Sequence, residues 1–448
     1  MRLFRDSAKW LFFAALIVAP WFYGGTTKES IVAINALLGI ALTFWVIGLF
    51  VSRSFPLLPK VLVAISVILL LLGWWMVVNA VSIYDSEFLI FKPLQQLLRY
   101  GSGSVDYAIS AAWMLRATLL IGVTWMVVDL SQDPRWLVRL WWTIGIAGGS
   151  IALLGLLQKA TGAEMIFWQN AGAHEVNTFF ATYYYHANAG AFLNLVWPAT
   201  IGLAVRAFQK HEHPGVRALW LSLSVILIGA VAANTSRMAH LIGTGSGIAI
   251  AIMFAPRIVR QLSKAELKVV LVGTVSVLIA IFAVAQASHL DQPLQRWHRL
   301  SENLPMDARW LVSKAALGAV PDAAVFGFGP GTFRVIFPYY TAGLGAPAHG
   351  VWRFLHEDYL QTLLEWGWLG AALWAFIFFG GIVAGVRALS QYALDWTPRR
   401  RLLLRLAILA LCGVALHALI DFPLQIMSIQ LYVAAYVGLC WGSGRWGG

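Results

Sequence analysis

His356 opens the stretch with the most chemical content in this chain. It precedes Glu357 and Asp358, and the segment Glu365-Trp-Gly-Trp-Leu-Gly370 follows shortly after. Upstream lies the glycine-rich run Phe326-Gly-Phe-Gly-Pro-Gly-Thr-Phe333. Imidazole exchanges protons near neutral pH, so a His at the end of a polar segment is a candidate general base. Arg237, in Asn234-Thr-Ser-Arg237, and Arg116, inside an apolar run, are candidate anion ligands, because the guanidinium fork matches phosphate oxygens. His186 and Asn188 follow a run of three tyrosines, Tyr183 to Tyr185, and His417 stands four residues before Asp421. Ionisable groups where a chain enters a membrane bundle are costly and mostly functional.

Each of these residues also has a structural reading. Arg237 can be an interfacial cation whose stem lies along apolar surface. Arg116 is too deep for that to be comfortable. His417 reads first as an interhelical hydrogen-bonding residue. Asp421, before Phe422 and Pro423, can cap a turn. Glu357 and Asp358 suit a helix N-terminus, where the dipole favours acids. Gly327, Gly329 and Gly331 lack P-loop spacing and a following Lys-Ser/Thr, so they read as a tight turn that brings backbone close to a ligand. Gly243 and Gly247 form a small-xxx-small pair suited to helix packing.

The elements that must position these groups are membrane helices. Of 448 residues, 60% are hydrophobic and only 12% charged, about half the charge of a soluble domain. The apolar runs approach the length that crosses a bilayer. The fold class is therefore an all-α polytopic membrane protein. About twelve spans are predicted, near 9–25, 31–51, 60–79, 110–129, 137–158, 187–205, 218–234, 238–255, 268–286, 357–386, 403–421 and 426–441. The seventh and eighth could be one helix broken around Asn234 to Arg237. Residues 1–286 carry spans one to nine, 287–355 form a long loop with short amphipathic helices (Gln295 to Leu300, Ala308 to Leu317), and 356–448 carry spans ten to twelve. The first span opens with Arg2, Arg5 and Lys9, lacks a small-residue cleavage site, and reads as a retained anchor. Cys412 and Cys440 both sit in apolar runs and read as buried thiols, without disulfide or metal.

The net charge of +12 would suggest nucleic acid in a soluble protein. Here the basic residues sit in short loops, which points to topology and anionic membrane lipids. With the N-terminus inside, the inner segments hold twenty Lys and Arg and the outer short loops five. That asymmetry predicts both termini in the cytoplasm and the 287–355 loop outside. Arg116, Arg237, His186, Asn188, His356, Asp358, His417 and Asp421 then all fall toward the outer side, although they come from separate parts of the chain. Convergence of this kind predicts a single outward-facing polar site.

At these residues the sequence resembles the O-antigen ligase/polymerase superfamily of bacterial envelope glycosyltransferases. The resemblance rests on the Gly-Phe-Gly-Pro-Gly-Thr-Phe turn, His356-x-x-Tyr-Leu-Gln361 with Glu365-x-Gly-x-x-Gly370, Thr235-Ser-Arg237, and His417-Ala-Leu-Ile-Asp-Phe-Pro-Leu-Gln425. Leu153-Leu-Gly-Leu-Leu-Gln-Lys159 adds to it, and about 270 residues are covered. The chain departs from the pattern at Glu357, where Asn is common, and at Met238-Ala-His240, where small residues are common. His186-Ala-Asn188 keeps only loosely an Asn/His-rich motif.

The resemblance implies a large helical membrane glycosyltransferase fold, GT-C-like, in the bacterial inner membrane with its site facing the periplasm. It implies transfer of a glycan from undecaprenyl diphosphate to the lipid A-core (a ligase) or to another carrier-linked unit (a polymerase), by inverting chemistry without metal or other cofactor. His356 would be the base, and Arg237 and Arg116 would hold the diphosphate. Asp358, Glu357, Asp421, His186 and Asn188 would support them. The ligase reading is favoured slightly, by the C-terminal His-x-x-x-Asp-Phe-Pro-Leu-Gln stretch. A lipid-linked glycan transporter would also explain an outer polar cavity, but it predicts polar groups through the full depth and internal repeats. A scaffold for cell-wall synthesis needs no His/Arg constellation. No nucleic-acid partner is expected.

Overall fold

The computed structural model describes all residues except 1, 86, 89, 170–178, 263–290, 299–307, 346–351, 393 and 447–448. The helices in chain order are α1 (Arg2–Trp21), α2 (Lys28–Ser52), α3 (Lys60–Val78), α4 (Tyr107–Leu130) and α5 (Pro134–Ala160). They continue as α6 (His186–Gln209), α7 (Pro214–Ala233), α8 (Arg237–Leu262), α9 (Asp291–His298), α10 (Ala308–Ala323) and α11 (Phe333–Thr341). The chain closes with α12 (Asp358–Tyr392), α13 (Pro398–His417) and α14 (Met427–Gly442). Eight of the described helices, α2 to α8 and α12, are long and apolar enough to cross a membrane. The expected span at 268–286 lies outside the described residues. Helices α7 and α8 are separate, divided at residues 234–236.

Local sequence sets where several helices start. Pro134, Pro214 and Pro398 each stand at the first helical position, where the missing N–H costs nothing. Asp133, His213 and Thr397 precede them, and each side chain accepts a backbone N–H of the first turn. Thr27 and Ser30 form a reciprocal capping box on α2.

Burial sorts the bundle into centre and rim. The most apolar window of α6 is 78% buried and nearly all of α14 is buried, so these two helices form the middle. The corresponding windows of α8 and α12 are only 28% buried and leave apolar side chains outward, toward lipid. A smaller core, with Val312, Ala316, Phe333, Phe337, Leu355 and Leu364, packs α10 and α11 over the start of α12. Among the described residues between 287 and 355, the helical segments are α9, α10 and α11.

Contacts fix which ends lie together. Arg5 donates to Asp129 Oδ2 at 3.0 Å, the Leu57 N–H reaches Asp129 Oδ1 at 3.3 Å, and Arg445 reaches the Leu58 carbonyl at 3.1 Å. The start of α1, the α2–α3 connection, the end of α4 and the end of α14 therefore share one end of the bundle. At the other end Ser428 donates to the Gly24 carbonyl at 2.6 Å and its hydroxyl lies 3.0 Å from that of Tyr183.

One element departs from the all-helical expectation. Residues Ser82–Asp85 (β1) and Ile90–Pro93 (β2) pair antiparallel, with Ser82 opposite Pro93 and Asp85 opposite Ile90. Four-residue strands leave almost no period-2 signal, and Pro93 reads as a breaker, so the pattern hid this hairpin. An ion pair between Lys92 and Asp85 joins its strands.

Candidate active site

The site lies where the heads of α6, α8 and α12 meet the end of α13, at the end of the bundle opposite the chain termini. The α7–α8 break is organised by Asn234. Its side-chain oxygen accepts the Ser236 N–H at 2.7 Å and its amide donates to the His186 carbonyl at 2.9 Å. That pair of bonds ties the segment before Arg237 to the head of α6.

His356 sits one residue before Glu357, at φ 62°, a left-handed conformation uncommon outside glycine. Strain of this kind at a titratable residue is a marker of functional sites. The imidazole is framed by Tyr185, Trp352 and Phe422, at centroid distances of 5.8, 6.0 and 4.6 Å and angles of 85°, 85° and 84°. Its Nδ1–H donates to Asp421 Oδ1 at 3.0 Å, which leaves Nε2 to take a proton.

Asp421 is the acid that orients this imidazole. Its other oxygen accepts from the Tyr185 hydroxyl at 3.1 Å, and Oδ1 also accepts the Phe422 N–H at 3.1 Å, so it caps its turn as well. Burial alone would raise this carboxyl. The hydrogen bond from His356 and the charges of His356, Arg309 and His417 outweigh burial and hold Asp421 below its ordinary value. Tyr185 stacks on Phe422 at 5.4 Å and accepts from Arg309 Nη2 at 2.8 Å. Burial, then the Asp421 charge, pushes its phenol upward.

Beside this pair lies a cluster of arginines. Arg296 on α9 donates to His186 Nε2 at 2.6 Å and to the Thr235 carbonyl at 3.2 Å. Burial, and then the charges of Arg237 and Arg309, lowers its guanidinium against the opposing effect of Tyr185, so Arg296 lies within electrostatic reach of both other cations. Among the described residues, Nη1 of Arg237 is buried without a hydrogen-bond partner. Cations gathered in this way call for an anion.

The other expected residues take different places. Glu357 caps α12, accepting the Leu360 and Tyr359 N–H groups at 2.6 and 3.2 Å. Asp358 is buried and accepts from the Leu424 N–H and the Gln425 amide at 2.8 and 2.9 Å. Its own N–H donates to the Ala418 carbonyl at 2.9 Å. It thus clamps the turn that carries Asp421. Asn188 is buried on α6, its side-chain oxygen without a partner among the described residues. His417 is fully buried, but neither ring nitrogen finds a partner among those residues, contrary to the interhelical bond expected of it.

Arg116 stands apart from the arginine cluster. It is buried on α4 at 4.3 Å from the Trp113 ring and donates to the Gln425 carbonyl at 3.3 Å. Gln425 links it to Asp358. It lines a cavity of about 660 Å³ between α4, α12 and α14, whose walls include Leu120, Trp366, Phe378 and Val437. The shape is that of an apolar slot with a cation and two carboxyls, Asp358 and Glu365, on its wall.

The backbone N–H groups of the glycine-rich turn are taken up within the chain. Helix α12 breaks at Gly367, with φ 63° and ψ −173°. The break frees backbone groups, and residues 324–329 satisfy them. Phe328 and Gly329 donate to the Leu364 and Glu365 carbonyls at 2.9 Å each, and Trp368 and Leu369 donate to Ala324 and Val325 at 3.3 and 3.0 Å. The Glu365 carboxylate accepts from the Gly331 and Phe333 N–H groups at 3.0 and 3.3 Å and from Gln361 at 3.1 Å. The chain's own carboxylate therefore fills the anion nest of this turn.

Sequence reasoning missed Arg296, Arg309 and Tyr185. Both arginines lie in the amphipathic pieces of the long loop, whose charges carry little topological weight. Tyr185 is the last of three consecutive tyrosines, and nothing in that run singles it out.

Fold and site together define a multi-pass membrane protein with a polar, His- and Arg-bearing site at one end of its bundle. Residues 222–375 match the family model described as O-antigen ligase, and that match supports the resemblance to the O-antigen ligase/polymerase superfamily, whose members are glycosyltransferase-like enzymes. The matched stretch includes Arg237, Arg296, Arg309 and His356, while Arg116, Tyr185, His186 and Asp421 lie outside it. No curated protein matches the chain.

Proposed function

We propose that the protein is an O-antigen ligase, moving a glycan from undecaprenyl diphosphate to a sugar hydroxyl of the lipid A-core at the periplasmic face of the bacterial inner membrane. The observation that carries this reading is the arginine cluster of Arg237, Arg296 and Arg309 beside the His356–Asp421 pair. In the reaction the acceptor oxygen attacks the anomeric carbon of the donor sugar. The bond from that carbon to the diphosphate oxygen breaks with inversion, and the hydroxyl proton passes to His356 Nε2. Asp421 holds the imidazole and stabilises the imidazolium. Charge gathers on the departing lipid diphosphate, which Arg237, joined by Arg296 and Arg309, neutralises in place. The apolar cavity, with Arg116 on its wall, suits the lipid chain of the donor.

The family match is equally compatible with a polymerase, in which the acceptor is another carrier-linked unit. One experiment separates the readings. Purified protein is given labelled glycan on undecaprenyl diphosphate, with lipid A-core or a second lipid-linked unit as acceptor, in the presence of EDTA. Label on lipid A-core is the expected result. Lengthened lipid-linked glycan alone would make the protein a polymerase. Movement of donor across vesicles with no new glycosidic bond would make it a transporter.

A further inference from the structure

The chain Arg309–Tyr185–Asp421–His356 is continuous, with links of 2.8, 3.1 and 3.0 Å. The Asp421 carboxylate is shared among the Tyr185 hydroxyl, His356 Nδ1–H and the Phe422 N–H. Each added donor takes part of the charge that would otherwise stabilise an imidazolium. The Arg309 guanidinium donates to the phenol oxygen, and successive hydrogen bonds polarise one another. Tyr185 is also held rigidly, stacked at 6° on Phe422.

We propose that Tyr185 is a positioning residue that fixes the Asp421 carboxylate and, by competing with His356 for it, sets how readily His356 holds a proton. The catalytic consequence rests on the reading of His356 as the base. The competition for Asp421 does not. The groups acting on the pair are Tyr185 before α6, Arg309 on α10, Asp358 at the head of α12, whose neighbour is Glu357, and His417 on α13, with Arg296 on α9, His186 on α6 and Arg237 on α8 reaching it through Tyr185 and one another. Tyr185 is the one of these whose hydroxyl can be removed without changing net charge or the aromatic frame.

The test reads His356 directly. Intact protein in detergent is labelled with diethyl pyrocarbonate, which reacts with neutral imidazole, across pH, and modification of the His356 peptide is followed by mass spectrometry. Tyr185→Phe frees the carboxylate for His356, so its midpoint moves to higher pH by about half a unit or more. The acid limb of any transfer activity moves with it. Placing 3-fluorotyrosine at position 185 makes the phenol a better donor, so the midpoint moves to lower pH. The opposed shifts are a signature that loss of packing cannot produce. If Tyr185→Phe does not fold, the fluorinated protein still decides the matter. Midpoints unchanged, or moved in the same direction by both substitutions, overturn the proposal. Opposed shifts in a protein that transfers no glycan would leave the coupling standing and remove the proposed activity instead.

Discussion

At the scale of single residues, His356 and Asp421 act as a pair, and each variant has its own signature. His356→Ala is expected to cut transfer about 10²–10⁴-fold, the range for loss of a general base, while leaving donor binding intact. His356→Gln with full activity and an unchanged pH profile would mean that the side chain only fills space. Asp421→Asn should lower turnover by up to about 10⁴-fold, as when a carboxylate that fixes a catalytic tautomer is neutralised. Its stability effect has a defined sign. Asp421 is held below its ordinary value in the fold, so its contribution is fully present above the ordinary carboxylate range, near pH 3.9, and is lost as pH falls through the depressed value. The Tm gap between wild type and Asp421→Asn should therefore be steady at mild pH and close below about pH 4. A gap that widened on acidification would contradict the ion-pair geometry. Arg237→Ala should cost about 2–4 kcal/mol of transition-state stabilisation, with only partial rescue by Lys, which lacks the fork. Near-wild-type turnover in well-expressed Arg237→Ala protein would remove the residue from the diphosphate site. Arg116→Ala should raise the donor KM more than it lowers kcat, because Arg116 faces the apolar cavity.

At the scale of elements, the break in α12 gives the site its shape. A continuous helix of 35 residues would run about 52 Å at 1.5 Å per residue, far more than a bilayer core. Gly367 ends the first arm, and that arm lies under α10 and α11. A Cβ at Gly367 would collide with the Val325 carbonyl, and one at Gly331 would enter the Trp113 ring. Gly367→Ala should therefore lower Tm and activity together, in detergent-purified protein. Glu365→Ala strands two backbone N–H groups and the Gln361 amide, at about 1–3 kcal/mol for each buried group left unsatisfied. Its loss should likewise appear in Tm before it appears in KM. Wild-type thermal stability in both variants would mean that the turn is not held by this contact set.

At the scale of the whole molecule, the two ends of the bundle differ in chemistry. Arg5, Asp129, Leu57 and Arg445 meet at one end, while Arg237, Arg296, Arg309 and His356 gather at the other. Together with the excess of Lys and Arg in the inner loops, this predicts that both termini lie in the cytoplasm and the site outside. Single cysteines placed at positions 339 and 344 should react with an impermeant maleimide from the periplasmic side. Cysteines near residues 57 and 446 should be protected until the membrane is opened. Labelling in the reverse pattern would overturn the assignment of the site to the outer face.

The sequence by itself determined the class, and it supplies the predicted sidedness and the candidate reactive groups. Long apolar runs can only be satisfied as helices in lipid, because every backbone N–H and C=O must be paired internally. Charge asymmetry sets orientation without any tertiary contact, and His356, Arg237 and Arg116 stand out because ionisable residues are scarce in such a chain. Tertiary structure alone decided what each group faces. Asp421 lies 65 residues from His356 and Arg309 lies 124 from Tyr185, so no local spacing could join them. Glu357 and Asp358 were near in sequence but are taken up by the helix cap and the clamp on the α13–α14 turn. The glycine-rich run had the look of a ligand loop, yet its N–H groups are directed at Glu365 and the broken α12. Periodicity reports one element at a time, whereas the partner of a buried polar group is chosen by where the other helices bring their ends.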